Sequence, residues 1–303
     1  MKVLVIGGCG FIGSHVVDCL VEAGHRVRVF DRQPERFRPP VSGVDYRLGN
    51  ISDRMEVIDA VSGVDAVMHL ASSTFPGTGD LDPRTDVIDN LVNSLGLLDV
   101  MVSVGVRRLL FMSSGGTVYG YPTVLPIPES HPLQPINSYG IVKTAIEHYV
   151  QLYSRTRGIS AVVMRPSNPF GPRQGHIGVQ GVIMTFLRRL AADEPVEVWG
   201  DGSVVRDYLY IRDLALLCVQ ALASGKEGTY NAGSGHGHSI NEIIDTVAQV
   251  IGQPVDVHYK PGRHVDVPRS VLDIRQATET FGWAPRTSLA DGIGLTWDWL
   301  QDQ

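Results

Sequence analysis

The stretch that most constrains this chain is its beginning. KVLVI, Lys2–Ile6, is an apolar run of strand length that passes directly into GGCGFIGSHVVDCLVEAGH, a glycine-rich turn entering a helical pattern. Gly7, Gly10 and Gly13 stand at GxxGxxG spacing. Glycine there permits the tight turn, lets the backbone approach a pyrophosphate and lets the helix pack close to its strand, while the N–H groups of the helix start face the anion. A second strand pattern, residues 26–30, ends at Asp31, eighteen positions after Gly13. That is close to the interval at which a carboxylate bonds an adenosine ribose. The unit predicts a dinucleotide site whose cofactor-facing positions are Gly7, Gly10, Phe11, Ile12, Gly13 and Asp31.

Asp31 also selects the cofactor. A carboxylate accepts hydrogen bonds from ribose hydroxyls and repels a 2′-phosphate, so NAD is favoured over NADP. Arg32 could offset that repulsion, but no further basic residue follows until Arg36 and Arg38, and a solvated or adenine-stacking role suits it better. Strand patterns recur at residues 45–48, 66–70, 108–112 and 159–164, with a long helix over 87–104. Alternating strands and helices imply an α/β fold, a doubly wound parallel sheet of Rossmann type. In HLAS at the end of the fourth strand, Leu70 and Ala71 let the chain pass the cofactor, and His69 is a satisfied strand-end histidine rather than a catalytic one.

Length asks for more than one simple domain: 303 residues suggest residues 1–165 as the NAD-binding domain and 166–303 as a smaller mixed α/β lobe, some of whose segments return to the first. A net charge of −6 gives no support to a nucleic-acid partner. Cys9, Cys19 and Cys218 form no CxxC or disulfide framework, which points to a reducing cytoplasm. The opening run is too short for a signal peptide, and no later run reaches about 18 uninterrupted apolar residues, so no membrane association is expected.

The second informative stretch begins with SSGGTVYG and closes with Tyr139-Gly140-Ile141-Val142-Lys143. A tyrosine and a lysine four apart on a helix share a face. A nearby cation favours the phenolate, moving a group that titrates near pH 10 toward the range of a general base.

GGCGFIG, Asp31, HLAS, SSGGTVYG and YGIVK, in this order, resemble the extended short-chain dehydrogenase/reductase family. RPSNPFGPRQ, GDGSVVRDYLYIRD and GRHVDVPRSVLD extend the likeness to its NAD-dependent nucleotide-sugar epimerases and dehydratases, nearest to the UDP-galactose (UDP-glucose) 4-epimerases. The resemblance implies a Rossmann domain carrying NAD, a C-terminal lobe holding a UDP-sugar, and a homodimer. It makes Tyr139 the catalytic base and gives Lys143 the nicotinamide ribose and a lowering of the tyrosine pKa. The family often has a serine or threonine four residues before the tyrosine of VYG, where this chain has Gly115. Ser114 and Thr117 flank that gap, and either hydroxyl could serve, with Thr117 favoured for the sugar. The dehydratases' Asp-Glu pair is replaced by Gly116 and Thr117, so elimination lacks its acid and base pair, while epimerisation needs only one base.

By the same resemblance Asn168 bonds a diphosphate oxygen, Arg206 and Arg263 clamp the diphosphate, and Asp266 holds the uridine ribose; Arg206 could instead pair with Asp207 or Asp213. Ser270, at a position beside the hexose, leaves room for an N-acetyl group, and Arg173 or Arg269 could meet a uronate carboxylate. His236 and His238 lack a third ligand, so no metal is expected, and Ser239 with Glu242 forms a capping box. A net nucleotide-sugar oxidoreductase would use the same residues but release its cofactor. A non-catalytic NAD-binding sensor would have no need of Tyr139 and Lys143.

Overall fold

The computed structural model describes residues 1–175, 181–262 and 267–303. Strands β1 (Lys2–Ile6), β2 (Arg26–Asp31), β3 (Asp45–Leu48), β4 (Ala66–His69), β5 (Arg108–Met112) and β6 (Ser160–Pro166) form, with the strand Gly228–Ala232, a seven-stranded parallel sheet. From one edge the order is β3-β2-β1-β4-β5-β6 and then Gly228–Ala232, as expected of a Rossmann-type sheet. The apolar runs of its central strands follow from burial on both faces. In β1, Val3 and Val5 enter one core with α1 (Phe11–Glu22), while Leu4 and Ile6 enter another with α2 (Arg54–Val61), α3 (Pro83–Val104) and α4 (Ser138–Arg157).

The α3 helix begins at Pro83, four residues before the pattern suggested, with Asp82 capping it through the Thr85 N–H, and it contains a π-helical stretch at Val87–Val92. Its length and composition would allow it to cross a membrane, yet Leu97, Leu98, Val100 and Met101 are buried against the sheet. Within α4, Tyr139, Lys143 and Glu147 recur every four residues and share a face.

In the second half, Asn168–Phe170 and Arg269–Ser270 run parallel to the strand Val205–Tyr210, and Gly237–Ser239 runs antiparallel to it. Val196–Trp199 pairs separately with Val257–Lys260. The helix Ile211–Ser224 leaves this lobe to pack on α1, and Gly228–Ala232 completes the large sheet, so the lobes share one core.

Where the lobes join lies a buried ion pair. Glu147 and Arg165 side chains are 0% and 4% exposed. Ser113 donates to the same carboxylate, and Arg165 Nη1 donates to the Tyr119 hydroxyl at 2.9 Å. That hydroxyl in turn donates to Asn231 Oδ1 at 2.7 Å. The network ties the SSGGTVYG turn to α4, β6 and the strand Gly228–Ala232. Glu147→Gln leaves a buried guanidinium without its counter-charge and is expected to cost about 3–5 kcal/mol. Urea unfolding of the variant would measure this, and a loss below about 1 kcal/mol would contradict it.

Candidate active site

The ends of β1, β4 and β5 open into one cavity of about 720 Å³, at the point where the strand order reverses. Gly7 has φ +84°, and a Cβ placed on Gly13 would stand 2.0 Å from the Gly7 carbonyl oxygen, so helix and strand approach too closely for any side chain. Gly10 caps α1 without a side-chain hydrogen bond, and Gly10, Phe11, Ile12 and Gly13 line the cavity. The helix start thus offers its N–H groups to a ligand. Asp31 Oδ2 accepts from Cys9 N at 3.0 Å and Oδ1 from Gln33 N at 3.1 Å, which fixes the glycine turn against β2. Each oxygen retains a lone pair for a further donor. Arg32 is exposed at the rim. Leu70 and Ala71 line the wall, with Ala71 N only 2.7 Å from where a Gly7 Cβ would be.

His69 is held as a strand-end residue. Its Nε2 lies 2.9 Å from Ser94 Oγ, whose proton goes to Asn90 O at 2.6 Å. Nε2 is therefore the protonated nitrogen, and Nδ1 has no partner among the described residues. Burial pushes the histidine pKa down to about 3, so the ring is neutral.

Tyr139 and Lys143 meet in the same cavity. Burial pushes the tyrosine up to about 12; a hydrogen bond from Ser114 acts against this and the negative charge of Asp86 adds to it. The expected lowering by Lys143 is absent from this arrangement. Lys143 Nζ donates to Met112 O at 2.9 Å and lies 5.6 Å from the centre of the Tyr139 ring, over its face. Burial brings the lysine itself down to about 8, with Asp86 and Glu147 opposing the fall.

Gly115 is a steric necessity. A Cβ there would come within 2.6 Å of Leu272 Cδ1 and 2.9 Å of Arg165 O. Ser114 lines the same cavity, and its hydroxyl acts to lower the pKa of the Tyr139 phenol. Thr117 lines the cavity, with its Oγ1 buried and without a partner among the described residues.

Sequence reasoning missed Asp86. Its fully buried carboxylate accepts from Ser138 Oγ at 2.8 Å, Asn90 Nδ2 at 2.8 Å and Thr74 Oγ1 at 2.7 Å, holding the residue just before Tyr139. No local motif announces it, because its partners come from three segments. Glu147 was legible in principle, since it continues the four-residue spacing from Tyr139 and Lys143.

Asn168 and Arg206 line both this cavity and an adjoining one of about 270 Å³ walled by Phe186, Trp199 and Tyr208. Asn168 Nδ2 donates to Asp207 O at 2.9 Å, and Arg206 Nη1 to Val267 O at 2.6 Å. Asp207 accepts instead from Ser234 and the Leu272 N–H, and Asp213 from the N–H groups of Arg286 and Thr287. Arg263 and Asp266 lie outside the described residues. Ser270 is on the cavity wall, whereas Arg173 is engaged by Asp18 at 2.7 Å and Arg269 is exposed. His236 bonds Ser234 within its loop, and the Ser239–Glu242 capping box is formed.

The sequence profile of the NAD dependent epimerase/dehydratase family matches residues 3–233. The chain belongs to this family. It is 33% identical to a putative UDP-glucose 4-epimerase of Methanocaldococcus jannaschii, over 99% of this chain and 98% of that one. Among solved structures it is similar to the Thermotoga maritima UDP-glucose 4-epimerase with UDP-glucose, at 34% identity and TM-score 0.94, covering 100% of this chain and 99% of that one. The Thermus thermophilus UDP-glucose 4-epimerase in complex with NAD is 35% identical, with TM-score 0.92 and 99% of both chains covered. The protein is thus an epimerase of this family with NAD as cofactor. Its residues fit that group: the uncapped α1 start would take the pyrophosphate and Asp31 the adenosine ribose, and Lys143 lines the same cavity.

The lysine's position has a consequence for pH. Its folded pKa of about 8 lies below the ordinary 10.5, so the unfolded chain binds more protons between these values. The cost of burying the ammonium is fully present below about pH 8 and is lifted as the pH rises toward 10.5. Cofactor-free protein should therefore gain stability relative to Lys143→Met across that window in urea titrations; a constant difference would refute the assignment.

Proposed function

We propose that this protein interconverts the C4 epimers of a UDP-hexose through a transient keto sugar, with Tyr139 as the base. The observation carrying this reading is that Tyr139, Lys143, Ser114 and Thr117 line one cavity that runs from the glycine turn to Asn168 and Arg206. NAD, when bound, would supply the acceptor and donor of the hydride exchanged with the sugar carbon. Tyr139 accepts the hydroxyl proton and gives it back, Ser114 favours the ionised phenol, and Lys143, on exchanging Met112 O for the phenol oxygen, supplies the positive charge that lets it ionise. Asn168 and Arg206 hold the diphosphate, joined by Arg263, with Asp266 on the uridine ribose. Thr117 bonds the sugar. Gly116 and Thr117 supply no acid and base pair for elimination, which favours epimerisation over dehydration.

The wider reading includes a homodimer and a cytoplasmic setting. Val87, Ile88 and Val92 on α3 and Ile141, Tyr149 and Leu152 on α4 are exposed apolar residues suited to a second copy, and the three cysteines are free thiols.

Conversion of UDP-glucose, UDP-galactose, their N-acetyl counterparts and UDP-glucuronate without added cofactor can be followed by NMR. Turnover of a UDP-hexose is expected, and failure on every one would sink the proposal. Tyr139→Phe should lower kcat about 10²–10⁴-fold while bound dinucleotide is retained. Ser114→Ala should reduce kcat more than Thr117→Val, which should act mainly on KM; the reverse order would reassign the two hydroxyls.

A further inference from the structure

Asp18, on α1, gives its two carboxylate oxygens to arginines from distant parts of the chain. Oδ1 accepts from Arg38, in the loop that follows β2. Oδ2 accepts from Arg173 Nη1 at 2.7 Å, just beyond the strand Asn168–Phe170. The three side chains are only 17%, 21% and 18% exposed, so the pairs are partly withdrawn from solvent. The same helix grips both segments again: Arg38 Nη2 donates to Ser14 O at 3.1 Å, and His15 Nε2 to Pro172 O at 2.9 Å. Arg173 has a left-handed backbone at φ +66°, unfavourable for a residue with a side chain, and the ion pair helps to hold it there.

These two segments close over the cavity. A Cβ on Gly175 would lie 3.7 Å from Arg36 Nη2 and 3.9 Å from the Phe37 ring, and all three residues line the wall that also contains the glycine turn. One half of this roof follows β2 and the other belongs to the second lobe. Their common anchor is one carboxylate.

We propose that Asp18 is a positioning residue that latches the cofactor: through Arg38 and Arg173 it keeps the roof closed over NAD for the whole turnover. This rests on the reading above, in which one bound dinucleotide is used twice per cycle. A cofactor that leaves between the two uses strands the sugar as its keto form, so retention is a requirement of net epimerisation.

The test needs no sugar. Protein loaded with NAD is diluted and the dinucleotide remaining bound is followed by filtration and absorbance. Asp18→Asn is expected to lose NAD about tenfold faster than the unaltered protein. Arg173→Gln, which cuts only the second-lobe leg, should also lose it faster, and provides the measurement if Asp18→Asn folds poorly. Glu22→Gln breaks the exposed pair of α1 with Arg212 and should release NAD at the unaltered rate. Unchanged retention in both Asp18→Asn and Arg173→Gln overturns the latch. So does an equal acceleration in Glu22→Gln, which would mean that any weakening of α1 suffices. Because no sugar nucleotide is present, either result is independent of whether a UDP-hexose is the substrate.

Discussion

The arrangement of the active cavity depends on a buried charge pair, Glu147 with Arg165. Withdrawing both from water is costly, and such a pair is often no more stabilising than well-packed apolar residues would be. What it provides here is registry. The carboxylate comes from α4, the guanidinium from β6, and the neutral partners Ser113, Tyr119 and Asn231 from the β5 turn and the strand Gly228–Ala232. Any slip between these elements would leave a charge unpaired in the core. The turn after β5 is therefore held with Ser114 toward Tyr139.

Charge balance beneath the phenol follows from that framework. Glu147 lies one helical turn beyond Lys143, and Asp86 reaches the start of α4 through Ser138. Both carboxylates favour the charged lysine, while Asp86 disfavours an ionised tyrosine. Burial outweighs each of these influences. The phenol is accordingly held as an acid that is hard to ionise, and bringing it into a working range requires a cation at its oxygen rather than over its ring. Lys143 sits on the right helix face for this, with Met112 O as the partner it would have to exchange.

The parts legible in the sequence are those whose determinants are local. The strand, glycine turn, helix and Asp31 form one continuous unit, and the spacing of Tyr139 and Lys143 depends only on helical geometry. The need for glycine at 115 is not legible locally, since it is dictated by Leu272 and Arg165 O from remote segments. Asp86 escaped notice because three separate pieces of chain define its environment. The pairing of Asp18 with Arg173 spans 155 positions, which is why the sequence alone leaves Arg173, like Arg269, open to a uronate. The nearness of Lys143 to Tyr139 follows from helical spacing, but its bond to Met112 O depends on where β5 ends relative to α4.

In the proposed reaction one base must serve both epimers, so the keto sugar has to turn while the rest of the nucleotide stays fixed. The two ends of the cavity differ in a way that suits this. Toward the second lobe, Asn168, Arg206 and the aromatic walls of the adjoining pocket offer directional donors and flat contact surfaces. Around Tyr139 the wall has Gly116, Thr117 and Ser270, and a Cβ on Gly116 would meet nothing within 4 Å. A grip placed at the diphosphate and space placed at the hexose permit rotation about the linkage between them. The absence of a bulky side chain at Gly116 is then as much a part of the mechanism as the presence of Tyr139, because a sugar held tightly on all sides could be oxidised but could not present its second face.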